Sequence, residues 1–169
     1  VLWAPWRLSY VEGAAPNDGC IFCTLPAREG VAERRAALVL SSDELTSVMM
    51  NRFPYAHAHL MVAPRRHTSD LLALKAEVAA AVHGGLRAAV AALTAEYAPH
   101  GFNIGLNVGR AAGAGIADHL HWHVVPRWEG DTNFMPTLAD TRVMPQHIED
   151  TYDRLLRRFE RLAGSTDTQ

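Results

Sequence analysis

The sequence predicts an α+β fold: an antiparallel sheet of about five strands with one long helix and a C-terminal helix. Three observations carry this. Short β-rich or apolar segments recur at five places. Two longer segments repeat apolar residues every three or four positions. The order is strand-strand-strand-helix-strand-strand-helix, without the βαβ alternation that builds a parallel sheet.

Taken in order, residues 1–35 read as an irregular arm. It carries Trp3, Pro5, Trp6 and Arg7, then Cys20 and Cys23, and a short helix near Ala27. Residues 37–41 form a short apolar run, 45–53 are β-rich and 58–63 are apolar. Pro54 and Pro64 bound the last two, where a missing N–H is tolerated. Ser69 and Asp70 offer N-cap oxygens for a helix that runs to about Tyr97. Its Val78, Val82, Leu86, Ala89, Leu93 and Tyr97 form one stripe. Residues 102–108 and 119–127 are the last two strands, joined by a glycine- and alanine-rich loop over 109–115. Pro145 suits the first turn of a final helix carried by Ile148, Tyr152, Leu155, Leu156, Phe159 and Leu162. A chain of 169 residues suits one domain over 1–169, with 1–35 as N-terminal arm and 129–169 as C-terminal extension and helix.

A hydrophobic content of 49% is that of a globular chain and argues against disorder. A net charge of −2 lacks the basic field of a nucleic-acid binder, so no nucleic-acid partner is expected. Neither a membrane-spanning apolar run nor a secretory leader is legible, which points to a cytoplasmic chain without a membrane partner. The two cysteines, spaced C-x-x-C, are too few for a disulfide scaffold. That spacing suits a metal half-site or a redox pair, and the Pro/Gly-flanked setting favours metal.

The segment His119-Leu120-His121-Trp122-His123-Val124-Val125 is the most informative. On a strand, side chains alternate, so the three histidines share one face and Leu120, Trp122 and Val124 share the other, which can be core. Packing alone does not call for such a row. Imidazoles in strict alternation suit a metal or a phosphate, as ligand, nucleophile or general acid.

The flanks separate these readings. The string HLHWHVV resembles the histidine-triad motif, and FNIGLNVGRAAGAGIADHLHWHVVPRW resembles the phosphate loop and catalytic strand of that family. VMMNRFPYAHAHLMVAPRRH is similar to its nucleoside-binding hairpin. LWAPWRLSY, CIFC and RWEGDTNFMP resemble a bacterial branch associated with diadenosine tetraphosphate phosphorylases. The resemblance implies that His121 attacks an α-phosphorus and that His123 contacts the phosphate and assists the leaving group. It places Asn107, Gly113, Ala114 and Gly115 around the phosphate, Asn51 at the ribose hydroxyls and His59 near the active site. Trp128 matches an aromatic that can offer a π-face to a purine, or can pack under the C-terminal tail. Two departures stand out. The family hairpin reads Asn-Pro-Gly-His where this chain has Ala56-His57-Ala58-His59, and the Ser or Thr often found just before the triad is absent from residues 115–118.

The resemblance also implies a structural zinc ion (Zn2+) held by Cys20, Cys23, His67 and His119, the alternative being free thiols and a surface histidine. It implies a homodimer, with the long helix and its neighbouring strand at the interface. The function expected is transfer of a nucleotidyl group from a dinucleoside polyphosphate, with adenine nucleotides as substrates and inorganic phosphate as acceptor. Arg110 and Arg127 are the cations placed to receive that phosphate. The alternatives are hydrolysis of dinucleoside polyphosphates or nucleoside phosphoramidates, or a nucleotide-binding and sensing module without turnover.

Overall fold

The computed structural model describes residues 19–131 and 146–166. The elements are α1 (Ile21–Thr24), α2 (Val31–Ala36), β1 (Val39–Ser42), β2 (Thr46–Met50), β3 (Leu60–Pro64), α3 (Ala76–Tyr97), β4 (Gly101–Leu106), a 3-10 turn (Arg110–Ala112), β5 (Trp122–Arg127) and α4 (Ile148–Thr166). The Trp3–Arg7 motif, the tail after Asp131 and Pro145 lie outside the described residues. The five strands pair antiparallel in the order β1-β2-β3-β5-β4, so the class is α+β.

Several boundaries differ from expectation: Ala27 lies in a turn between α1 and α2, β2 ends at Met50 and β4 at Leu106, and two further differences bear on the site. Ser69 and Asp70 do not start the long helix. Asp70 Oδ1 accepts the Leu72 N–H at 2.9 Å and Thr68 Oγ1 accepts the Asp70 N–H at 3.1 Å, which closes a local turn. The helix starts at Ala76, with Lys75 at the N-cap and no side-chain cap. The last strand is also shorter, because the Leu120 N–H goes to the Thr68 carbonyl at 2.8 Å instead of to β4. His119 and His121 therefore precede β5, and of the three histidines His123 alone lies within it.

The sheet has two unlike faces, as strand alternation requires. On one, Leu40, Val48, Met50, Leu60, Val62 and Val124 pack against Val82, Ala89 and Leu93 of α3 and Tyr152, Leu155 and Phe159 of α4. Gly85 lets α3 lie close, since a Cβ there would fall 2.9 Å from Val62 Cγ1. α3, at 22 residues, is long and apolar enough to cross a bilayer, but its buried stripe seats it on the sheet as the core helix. Glu96 of α3 accepts bonds from Arg154 and, at 2.7 Å, from Arg158 of α4. Burial opposes ionisation of Glu96, but the two guanidiniums outweigh it and hold its carboxyl below the usual range. The other sheet face carries Val39, Met49, Met61 and Ala63, covered by Phe22 from the N-terminal arm. This second face also carries the histidines.

Candidate functional site

His121 is 4% exposed, and its ring centroid lies 5.0 Å from that of His123. Its Nδ1 sits 2.9 Å from the His119 carbonyl oxygen. A carbonyl only accepts, so Nδ1 carries the hydrogen and Nε2 of the neutral ring carries the lone pair. Burial pulls the His121 pKa below its ordinary value, against the bond to the His119 carbonyl, and this keeps the ring neutral near neutral pH. The site thus holds a desolvated imidazole of fixed tautomer, the form a nucleophile needs.

The tautomer of His123 is fixed from the hairpin between β2 and β3. His59 Nδ1 accepts the Tyr55 N–H at 3.1 Å, with Asn51 Nδ2 also at 3.3 Å. Its hydrogen is therefore on Nε2, which donates to His123 Nδ1 at 3.0 Å. The neutral His123 ring then carries its own hydrogen on Nε2, the form that can donate a hydrogen bond to a leaving oxygen. Ala58 takes the glycine position at φ 57°, in the left-handed region, at a cost of about 1–2 kcal/mol for a residue with a Cβ. Across that bend His59 turns to His123, while His57 turns to Tyr97 of α3, with ring centroids 4.8 Å apart. Burial, with Arg154 adding to it, pulls the His57 pKa down.

Several residues named from the sequence stand differently. Trp128 has its ring 6.2 Å from that of His57, which also meets Tyr97 of α3. Asn51 Oδ1 accepts the Phe53 N–H at 2.9 Å, so this amide closes the hairpin. Asn107 follows β4. Alternation from Gly105, which pairs with His123, puts it on the histidine face. In the glycine loop, the Gly113 N–H goes to the Arg110 carbonyl at 2.9 Å and the Ala114 N–H to the Gly109 carbonyl at 3.3 Å. Two of the N–H groups expected to cradle phosphate are thus spent on the 3-10 turn, and Gly115 follows exposed. Arg127 is committed as well: Nε and Nη2 bond Asp131 at 2.6 and 2.7 Å, and Nη1 bonds Asn103 at 2.7 Å. Arg110 is exposed at the start of that turn. Sequence reasoning missed Phe22, Tyr55 and the His119 carbonyl as parts of the site.

Beside the triad, Cys20, Cys23, His67 and His119 offer ligand atoms that all lie within 4.8 Å of one another. Cys20 Sγ is 3.2 Å and Cys23 Sγ 3.6 Å from His119 Nδ1, and Cys23 Sγ is 3.4 Å from His67 Nδ1. His119 Nε2 donates to the Pro64 carbonyl at 2.8 Å, so the lone pair of Nδ1 faces the two sulfurs. Burial lowers the His119 pKa and raises that of Cys20. A neutral imidazole aimed at soft donors is what a closed tetrahedral set requires, and the group could hold a metal ion.

The profile of the HIT domain family matches residues 33–130, and the chain belongs to the histidine-triad family. It is 36% identical over 158 residues to an AP-4-A phosphorylase of Mycobacterium tuberculosis, an alignment that covers 89% of this chain and 79% of that protein. A Zn-bound histidine triad family protein from Mycobacterium smegmatis superposes with a TM-score of 0.66 at 25% identity, over 87% of this chain and 97% of the other. A diadenosine triphosphate hydrolase of Plasmodium falciparum shares the fold alone, with a TM-score of 0.57 at 13% identity over 96% and 98% of the two chains.

Proposed function

We propose that this chain cleaves dinucleoside polyphosphates, diadenosine tetraphosphate among them, at the α-phosphate, with inorganic phosphate as acceptor. The observation that carries the reading is the His121 ring, whose Nδ1–H is held by the His119 carbonyl so that Nε2 can attack. In the first step the Nε2–phosphorus bond forms and the bond to the bridging oxygen breaks. His123 Nε2–H donates a hydrogen bond to the bridging oxygen as negative charge grows on it, the His59 bond keeps that hydrogen on Nε2, and ATP departs as the polyphosphate anion. The ring of nucleotidylated His121 is cationic, and the His119 carbonyl stabilises it through Nδ1–H. In the second step a phosphate oxygen attacks the same phosphorus and His121 leaves. The products from diadenosine tetraphosphate are ATP and then ADP. Zinc is the ion we assign to Cys20, Cys23, His67 and His119. It supplies no chemistry to the reacting phosphorus and ties the arm to the catalytic segment.

The 36% identity to a phosphorylase supports phosphate as acceptor. One observation favours water: Arg127 and two loop N–H groups are already bonded inside the chain, which leaves Arg110 to receive an anion. Phosphate titration in otherwise phosphate-free buffer separates the two. The expected rate rises with phosphate and yields ADP and ATP, and Arg110→Ala raises the phosphate KM more than the dinucleotide KM. A rate indifferent to phosphate, with AMP and ATP as products, makes the chain a hydrolase.

The same reading makes the chain a homodimer. A groove of about 220 Å³, lined by Leu71, Leu74, Val82, Leu86 and Trp122 among others, opens beside α3. The β4 edge leaves Ile104 48% exposed. Light scattering is expected to give twice the chain mass, and a monomer at micromolar concentration would remove this part of the reading.

A further inference from the structure

We infer that Phe22 is a positioning residue for His121, and that through it occupancy of the Cys/His metal site controls the geometry of the nucleophile. This rests on the reading of His121 as the nucleophile. Phe22 stands between the two cysteines and is 0% exposed. Its ring lies on that of His121, with centroids 4.6 Å apart and planes inclined by 25°, a stacked arrangement. It also touches His119, at 5.3 Å and a tilt of 53°. The residue that links the two metal-ligating thiols therefore contacts both a metal-ligating histidine and the nucleophile.

The reason this matters is rotational. The bond from His121 Nδ1 to the His119 carbonyl fixes one point of the ring, and a terminal torsion of this kind is soft. A flat apolar face against the imidazole removes the remaining freedom and excludes water that would compete for Nε2. Phe22 itself cannot be held by its local helix. α1 has four residues, too few to be stable alone, and is closed by the Cys23 and Thr24 N–H groups on the Cys20 carbonyl at 3.0 Å. Its position is set by the sulfurs at one end and by burial of Phe22 against Val39, Met49 and Met61 at the other. Releasing the sulfurs frees the segment that carries the stacking ring.

The test uses the full chain, zinc-loaded, with Phe22→Leu as a variant that keeps apolar bulk but has no flat face. Zinc content, melting temperature, kcat, KM and the proton NMR signal of the hydrogen-bonded His121 Nδ1–H are measured. Expected are one zinc per chain, an unchanged melting temperature within a few degrees, a KM within about threefold and a kcat lower by about 10- to 100-fold. The His121 N–H signal broadens or disappears. Wild-type chain stripped of zinc by a chelator, and still folded by circular dichroism, is expected to lose the same signal. A zinc-loaded Phe22→Leu with kcat within twofold and an intact signal overturns the proposal, as does an intact signal in the stripped wild type. If the variant loses zinc or unfolds, the stripped wild type decides; if stripping unfolds the chain, the variant decides. The NMR signal is independent of turnover. Failure to cleave any dinucleotide would sink the functional reading while this arm still reports on Phe22.

Discussion

His121→Ala is expected to lower turnover of diadenosine tetraphosphate by at least about three orders of magnitude while nucleotide binding stays measurable. The size follows from the chemistry. Without a ring nitrogen no nucleotidyl intermediate forms, and the two short steps revert to one displacement by an acceptor that nothing in the site activates. Positioning by the rest of the pocket survives, which is why binding should persist. The substitution also empties space under Phe22, so it needs a structural control. His121→Asn provides one: its amide can still donate to the His119 carbonyl, but it offers no nucleophilic nitrogen. Both variants should be comparably inactive. An alkaline quench of wild-type protein with substrate should reveal a nucleotidyl adduct by mass, absent from both variants. Activity of His121→Asn within about tenfold of wild type would take His121 out of the nucleophilic role.

Much of this arrangement is legible in the amino-acid sequence, for identifiable reasons. The antiparallel class follows from element order, and the alternation of His and apolar residues correctly sends Trp122 and Val124 to the helix-packed face. Alternation says nothing of where a ladder stops. It puts the whole triad on one strand face, whereas β5 begins at Trp122, and His119 is drawn off toward the sulfurs by contacts distant in sequence. Ser69 and Asp70 have the chemistry of a cap, yet they close a turn of their own, because short polar side chains satisfy nearby N–H groups in either setting. The bonding of Arg127 to Asp131 and Asn103 was invisible for the same reason: the sequence shows a cation but not what faces it. Ala58 at φ 57° is the reverse case, a residue type that argues against a left-handed bend held in one by the surrounding hairpin. Phe22 carries a signal, an aromatic between two cysteines, that only the stacking geometry makes specific.

Removing the metal is expected to be the other large effect. Elemental analysis should find about one zinc per chain, because four ligands make one closed tetrahedral set. An ion present at about 1,000 times its dissociation constant stabilises the native state by about 4 kcal/mol. For a chain of this size each kcal/mol moves the melting temperature by about 2–4 °C. Chelation should therefore lower it by roughly 8–16 °C, and re-addition of zinc should restore it. Cys23→Ser should behave like the chelated wild type and should no longer respond to chelator, since Cys23 Sγ approaches both His67 and His119. The loss should fall on the face that Phe22 covers, among Val39, Met49, Met61 and Ala63, and spare the core between the sheet and α3 and α4. Hydrogen exchange would show this as earlier exchange in β1 and in the segment after Gly115, with α3 unchanged. A chain isolated without metal that melts at the same temperature with and without added zinc would mean that the four residues meet for packing alone.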